Sequence, residues 1–164
     1  MAFSKKEEYE QLLVWCRGNE AAADFLEKGF AVTQIADDFV DRDVPQCRID
    51  SDHMLRLLHL CLVEIPSNPF YMAHRAWFAP LFSTSFLMWE ATESWKTSEV
   101  ADSRKFAYTW REICEQLIFM TAWLVGGLQH ARAVVRSVHE FYHVTYQDNE
   151  DFYRWQEREY GQEE

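Results

Sequence analysis

The sequence predicts an all-α protein: a bundle of four to six helices that forms one domain over residues 1–164. Three observations lead to this prediction. Apolar side chains recur at helical spacing along most of the chain, and no run shows the alternation of β-branched and polar residues that marks a strand. The chain has only five glycines and four prolines, too few for the many tight turns of an all-β fold. Roughly the last ten residues are expected to form a charged tail.

Capping residues mark where the first two helices begin. Ser4 and Glu7 form an S-x-x-E capping box, so a first helix is expected over 5–16, ending before Gly18. Asn19 is the next suitable N-cap, and the helix that it begins is expected to end near Asp41.

Prolines separate the next two helices. A third helix is expected to begin at Ser51 or Asp52 and to end at Pro66. Asn68 followed by Pro69 is the pattern of an N-cap and a first helical position, so a fourth helix is expected to begin there and to continue to about residue 96. A fifth helix is predicted over 104–146, with a kink at the glycine pair 126–127.

Two stretches, 78–89 and 117–128, are apolar on nearly every side of their helices. A helix of this kind is normally buried all round, so these two helices are expected to be central and nearly fully buried. In a small chain, one such face can instead meet another protein, and we therefore expect a protein partner, self-association or both. The candidate interface residues are Trp77, Phe82, Phe86, Trp89 and Trp123.

Charge and composition narrow the partners and the compartment. The formal net charge of −11 argues against a surface that neutralises phosphates, so nucleic-acid binding is not expected. The longest apolar run, 117–128, is about half of what a membrane span needs. The sequence shows neither a signal peptide nor a C-x-x-C pair, which is typical of a protein of the reducing cytoplasm.

Paired carboxylates form the first candidate metal site. Glu90 and Glu93 lie three residues apart on the fourth helix, and Glu112 and Glu115 repeat this spacing on the fifth. Carboxylates at i and i+3 share a helix face, so two such pairs on antiparallel helices could hold Mg²⁺ or Mn²⁺. The four residues are also open to a simpler interpretation as two solvated pairs.

The same residues resemble the motifs of the all-α nucleoside triphosphate pyrophosphohydrolases, the MazG-like and dimeric dUTPase-like enzymes. The pattern of that family is E-x-x-E, a gap, and E-x-x-D within an apolar helix. This chain departs from it at Glu115, where the family has aspartate. The resemblance implies a hydrolase that uses Mg²⁺ or Mn²⁺ to grip the phosphates of its substrate.

A second candidate metal site consists of His139, Glu140 and His143. One E-x-x-H is half of what a ferritin-like bundle uses for its metal pair, and an i, i+4 pair of histidines can itself ligate a metal. The alternative is that these histidines are bonded to their neighbours in the fold.

The preferred hypothesis is a non-enzymatic, acidic helical protein that acts by protein–protein interaction and needs no cofactor. Its role would be that of an accessory, inhibitor or assembly protein of phage or mobile-element type. The pyrophosphohydrolase with Mg²⁺ or Mn²⁺ is the alternative, and the metal-binding bundle is the third hypothesis.

Overall fold

The computed structural model describes residues 3–41, 51–111 and 115–145, together with 153, 154 and 157. Every regular segment among these residues is helical and none is a strand, which confirms the all-α prediction. The helices are α1 (Lys5–Trp15), α2 (Glu20–Asp41), α3 (Ser51–His59), α4 (Ile65–Ser67), α5 (Pro69–Trp95), α6 (Ala101–Arg111) and α7 (Glu115–His139). Two π-helical turns follow α3 and α7, at Leu60–Glu64 and Glu140–Thr145. Within these ranges, no helix is both long and apolar enough to cross a membrane.

The predicted capping box opens α1. The Ser4 hydroxyl accepts a hydrogen bond from the Glu7 amide at 3.2 Å, and the Glu7 carboxylate accepts one from the Ser4 amide at 2.7 Å. The backbone amide of Ser4 lowers the pKa of the Glu7 carboxyl, because it bonds to the charged form. These contacts are local, which is why the sequence alone predicts them.

Asn68 joins the start of α5 to α2. Its side-chain oxygen caps α5 by accepting from the Tyr71 amide at 3.0 Å. Its side-chain nitrogen donates to the carbonyl of Ala21 at 2.8 Å and to the carboxylate of Asp24 at 2.9 Å. The residue is only 4% exposed, so the cap predicted from sequence also fixes one helix against another.

Aromatic rings pack the first half of α5 against α2. The ring of Phe25, fully buried in α2, lies 4.5 Å from that of Phe78 and 6.2 Å from that of Phe82. It also contacts the rings of Phe70 and Tyr71. In the described chain, the apolar side chains that pack on the core stop at Phe82 on α5 and resume at Leu117 on α7.

Trp15 holds the end of α1 against α7. Its indole nitrogen donates to the Ser137 hydroxyl at 3.0 Å, and its carbonyl oxygen lies 2.7 Å from Nε2 of His130. The predicted kink of α7 is confirmed at Gly127, whose φ of 72° and ψ of −176° form a non-helical conformation that glycine adopts readily and other residues rarely do. At the preceding Gly126, a Cβ atom would collide with the His130 ring.

One expectation about the long helices is wrong, and another falls partly outside the described residues. The helix predicted over 104–146 corresponds to α6, described to Arg111, and α7, described from Glu115, and residues 112–114 between them lie outside the described residues. The stretches expected to be buried all round are not: Leu87 is 64% exposed on α5 and Leu128 is 57% exposed on α7. Leu87 is exposed because α5 continues past the core. In the described chain, α6 is the one helix that packs closely against this second half of α5.

We expect the substitution Asn68→Ala to lower the free energy of unfolding by about 2–3 kcal/mol, because it removes a helix cap and the hydrogen bonds that Asn68 donates to Ala21 and Asp24. Chemical denaturation measures the change. Asn68→Ser is the matched control: it retains the cap alone and should recover about 1 kcal/mol. Equal stability of Asn68→Ser and the wild type would contradict the role of the bonds to α2.

Candidate functional site

The two glutamates predicted as metal ligands on α5 have different surroundings. Glu93 forms an ion pair with Lys96, one turn further along, with 2.7 Å between Oε2 and Nζ. Both side chains are largely covered, at 22% and 15% exposure. Glu90 is exposed. Glu93 is therefore neutralised by a lysine that follows it in the chain.

Glu115 and His143, one residue from each predicted metal site, lie together. Oε1 of Glu115 is 3.0 Å from Nε2 of His143, and both side chains are about four-fifths covered. The His139 ring stacks on that of His143 with 5.0 Å between centroids, while Glu140 is exposed. Glu112 lies outside the described residues. Over the ranges that the structure describes, no three His, Cys, Asp or Glu side chains are grouped so as to hold a metal ion.

A cleft of about 910 Å³ lies between α1, α2, α3, the start of α7 and the π-helical turn after it. Five carboxylates line it, and four of them have bonded neighbours. The Tyr142 hydroxyl donates to Glu8 at 2.9 Å, and the Gln34 amide donates to Asp38 at 3.1 Å. Glu115 is bonded to His143 as described above, and Glu64 is held by a basic network; the fifth carboxylate is Glu27.

That network runs from α2 to the first π-helical turn. Lys28 lies 2.8 Å from Asp24 and 3.4 Å from Glu64, and Glu64 lies 2.9 Å from the ring of His59. The hydrogen bond to Asp24 raises the pKa of Lys28, and the hydrogen bond from His59 lowers the pKa of Glu64. Three of the carboxylates that line the cleft, Glu8, Glu64 and Glu115, are thus bonded to a different helical segment.

The predicted interface residues are partly exposed, in two places. Trp77 on α5 and Trp123 on α7 are 50% and 40% exposed, and their rings meet edge to face at 5.3 Å. Phe86 is 42% exposed and stacks on Phe82, which reaches the core, whereas Trp89 is half-buried.

Sequence reasoning missed how the chain continues from Phe86. Residues 83–111 form two antiparallel helices, the end of α5 and all of α6, which we call the α5–α6 hairpin. Of its described side chains only Thr92 and Ala107 are buried, and both are small. Its large apolar residues are Phe86, Leu87, Met88, Trp89, Trp95, Val100, Phe106, Tyr108 and Trp110. The sequence signal for this region was the stretch 78–89, which is apolar on nearly every side and from which a buried helix was predicted.

A second apolar surface, the α3 surface, lies on α3 and the turn after it. Leu55, Leu58 and Leu62 are 62%, 45% and 70% exposed, and their spacing puts them on one face. The opposite side of this segment is anchored, because Leu60 is fully buried and Leu57 packs on the core. This surface was not among the predicted interface residues.

Comparison of the chain with protein-family models, with curated proteins and with solved structures gave no significant match. The contacts and exposed surfaces described above are therefore the basis for a proposal about function.

We expect Mg²⁺, Mn²⁺ and Zn²⁺ to leave the melting temperature of the protein within about 1 °C of its value in EDTA, because an ion bound only by the folded state would raise it. Glu93 and Glu115 are already bonded to Lys96 and His143. A rise with Mg²⁺ or Mn²⁺ that Glu93→Gln abolishes would contradict this expectation and favour the pyrophosphohydrolase. A rise with Zn²⁺ that His143→Ala abolishes would favour the metal-binding bundle.

We expect Glu64→Gln to lower the melting temperature by about 1–3 °C at neutral pH, as for a partly exposed ion pair. Because the pKa of Glu64 is below its usual 4.5 in the fold, its charged form stabilises the protein above pH 4.5, and this contribution is lost as the pH falls through the folded-state pKa. Melting curves of the variant and the wild type should therefore converge in acid. Glu10→Gln, on the exposed Lys6–Glu10 pair, is the control and should change little.

Proposed function

We propose that this protein acts by binding a protein molecule through the α5–α6 hairpin, in an accessory, inhibitor or assembly role without catalysis. The observation that carries the proposal is the exposure of that hairpin. It has nine large apolar side chains, yet none of them belongs to the core of the described chain.

The helices of small proteins gain most of their stability by packing an apolar face against other helices. In a hairpin, each helix packs only against the other helix. The outer faces of both therefore stay in water until another molecule covers them. On these faces Leu87 is 64% exposed, Val100 60% and Phe106 59%. Burying such a side chain contributes roughly 1–2 kcal/mol, and several together approach the cost of association.

The types of side chain also favour a binding surface. Tryptophan and tyrosine supply a large contact area with few rotatable bonds, and they are enriched among the residues that dominate binding energies. The hairpin contributes three tryptophans, and Trp77 and Trp123 add an exposed pair elsewhere on the surface. This concentration supports binding more than catalysis, because two of the four carboxylates considered as metal ligands, Glu93 and Glu115, are engaged with lysine and histidine.

A photo-crosslinking amino acid placed at position 87 or 106, in cells of the organism that carries the gene, tests the proposal. We expect irradiation to give one discrete protein adduct from each position, because both side chains lie on the surface that the partner covers. Mass spectrometry of the adduct identifies the partner, which can be a second copy of the chain.

Position 14 is the matched control for this experiment. Val14 is 66% exposed, as much as Leu87, but lies on α1, which packs against α2 and α7. Adducts from position 14 equal to those from 87 and 106 would show chance contacts, and no adduct from either hairpin position would rule the proposal out.

A further inference from the structure

We infer that the partner on the α5–α6 hairpin is the same hairpin of a second copy of this chain, so that the two pairs of helices together form a four-helix bundle. This inference rests on the proposed function and specifies it further. Four helices are the smallest common arrangement in which paired helices share one core, and two-fold symmetry supplies the second pair without another gene product.

The hairpin is already organised as half of such a bundle. The helices α5 and α6 are in close contact, and their fully buried side chains, Thr92 and Ala107, are both small. Their larger neighbours, Phe86, Leu87 and Phe106, are directed away from this contact and remain exposed. A second hairpin would cover these side chains with groups of the same kind.

The charges of the hairpin permit contact between two copies. Its four carboxylates, at 90, 93, 99 and 102, are balanced by four basic residues at 96, 104, 105 and 111. Its formal charge is therefore zero, and the rest of the chain carries the whole −11. Two copies that met through any strongly acidic part would repel each other, whereas the hairpin lacks that repulsion.

The two helices of the hairpin also differ in sign. Between 83 and 96, α5 carries Glu90 and the Glu93–Lys96 ion pair, a net charge of −1, whereas α6 carries one acidic residue, Asp102, against three basic ones. In a two-fold bundle, α5 of one copy can lie beside α6 of the other, and the two then attract. This complementarity favours a second copy over a partner of arbitrary charge.

An antiparallel arrangement of the two hairpins keeps the acidic remainders of the two chains apart. With the hairpins side by side and pointing in opposite directions, the two acidic bodies lie at opposite ends of the bundle. Thirteen residues of α5, from 83 to 95, span about 20 Å at 1.5 Å per residue. That exceeds the screening length of about 8 Å at physiological salt, so the bodies would hardly repel each other.

The α3 surface fits a second copy less well. Its segment is anchored on one side by Leu60, so it is an amphipathic helix that already has a core contact. The charged residues of 51–64 are Asp52, Arg56 and Glu64, which leave a net negative charge and no helix of opposite sign to pair with. The α3 surface is therefore the alternative contact between two copies that the experiment has to test.

Sedimentation velocity of the full chain at about 1–100 µM tests the inference. We expect the wild type to have twice the chain mass of 19.6 kDa. The double variant Leu87→Glu, Phe106→Glu places four carboxylates in the proposed interface and should return the mass to that of one chain, with a dissociation constant raised by roughly 100-fold or more. Val14→Glu and Leu58→Glu carry the same kind of change on α1 and on the α3 surface, and both should remain dimeric.

A monomeric wild type over this range overturns the inference, as does a dimer that the double variant leaves intact or that Leu58→Glu dissociates. Circular dichroism checks that the double variant is folded; if it is not, Leu87→Arg alone takes its place. The two proposals fail separately. A monomeric wild type whose positions 87 and 106 crosslink to a different protein retains the proposed function and removes only the second copy.

Discussion

The ring of Phe25 determines how far the core extends along α5. Phe25 lies on α2 and contacts the rings of Phe70, Tyr71, Phe78 and Phe82, so α2 covers the first half of α5 on one side. The helix then runs for three further turns, and in the described chain only α6 packs on these turns to a comparable extent. The exposed apolar surface is thus a consequence of a core that ends before the helix does.

Several polar side chains meet the opposite condition, because their hydrogen-bond partners lie within the chain. Asn68, Asp24, Lys28 and Glu64 form a continuous run of hydrogen bonds and ion pairs between α5, α2 and the first π-helical turn. Glu115 and His143 do the same between the ends of α7 and its π-helical turn. Carboxylates used in this way orient helices, and a metal would have to displace their present partners.

Sequence predicts those features of this fold that depend on residues close together in the chain. The capping box at Ser4, the N-cap at Asn68 and the kink at Gly127 each follow from a signal within three residues. The bond between Glu115 and His143 joins residues 28 apart, so spacing along one helix could not predict it. The prediction that 78–89 is buried was wrong for a related reason. Periodicity shows that a helix is apolar all round, but it does not show whether the side chains that cover the helix belong to the same chain or to another.

The distribution of charge connects the acidic composition with the exposed hairpin. A net charge of −11 keeps copies of a protein apart and limits indiscriminate contact between apolar surfaces. The α5–α6 hairpin has no net charge, so the same repulsion does not protect it. Because the core also leaves its outer side chains uncovered, the association that we propose would take place where repulsion is weak and the apolar gain is large. In this proposal the two parts have complementary effects: the acidic body would limit general aggregation, and the neutral aromatic hairpin would direct association to its own surface.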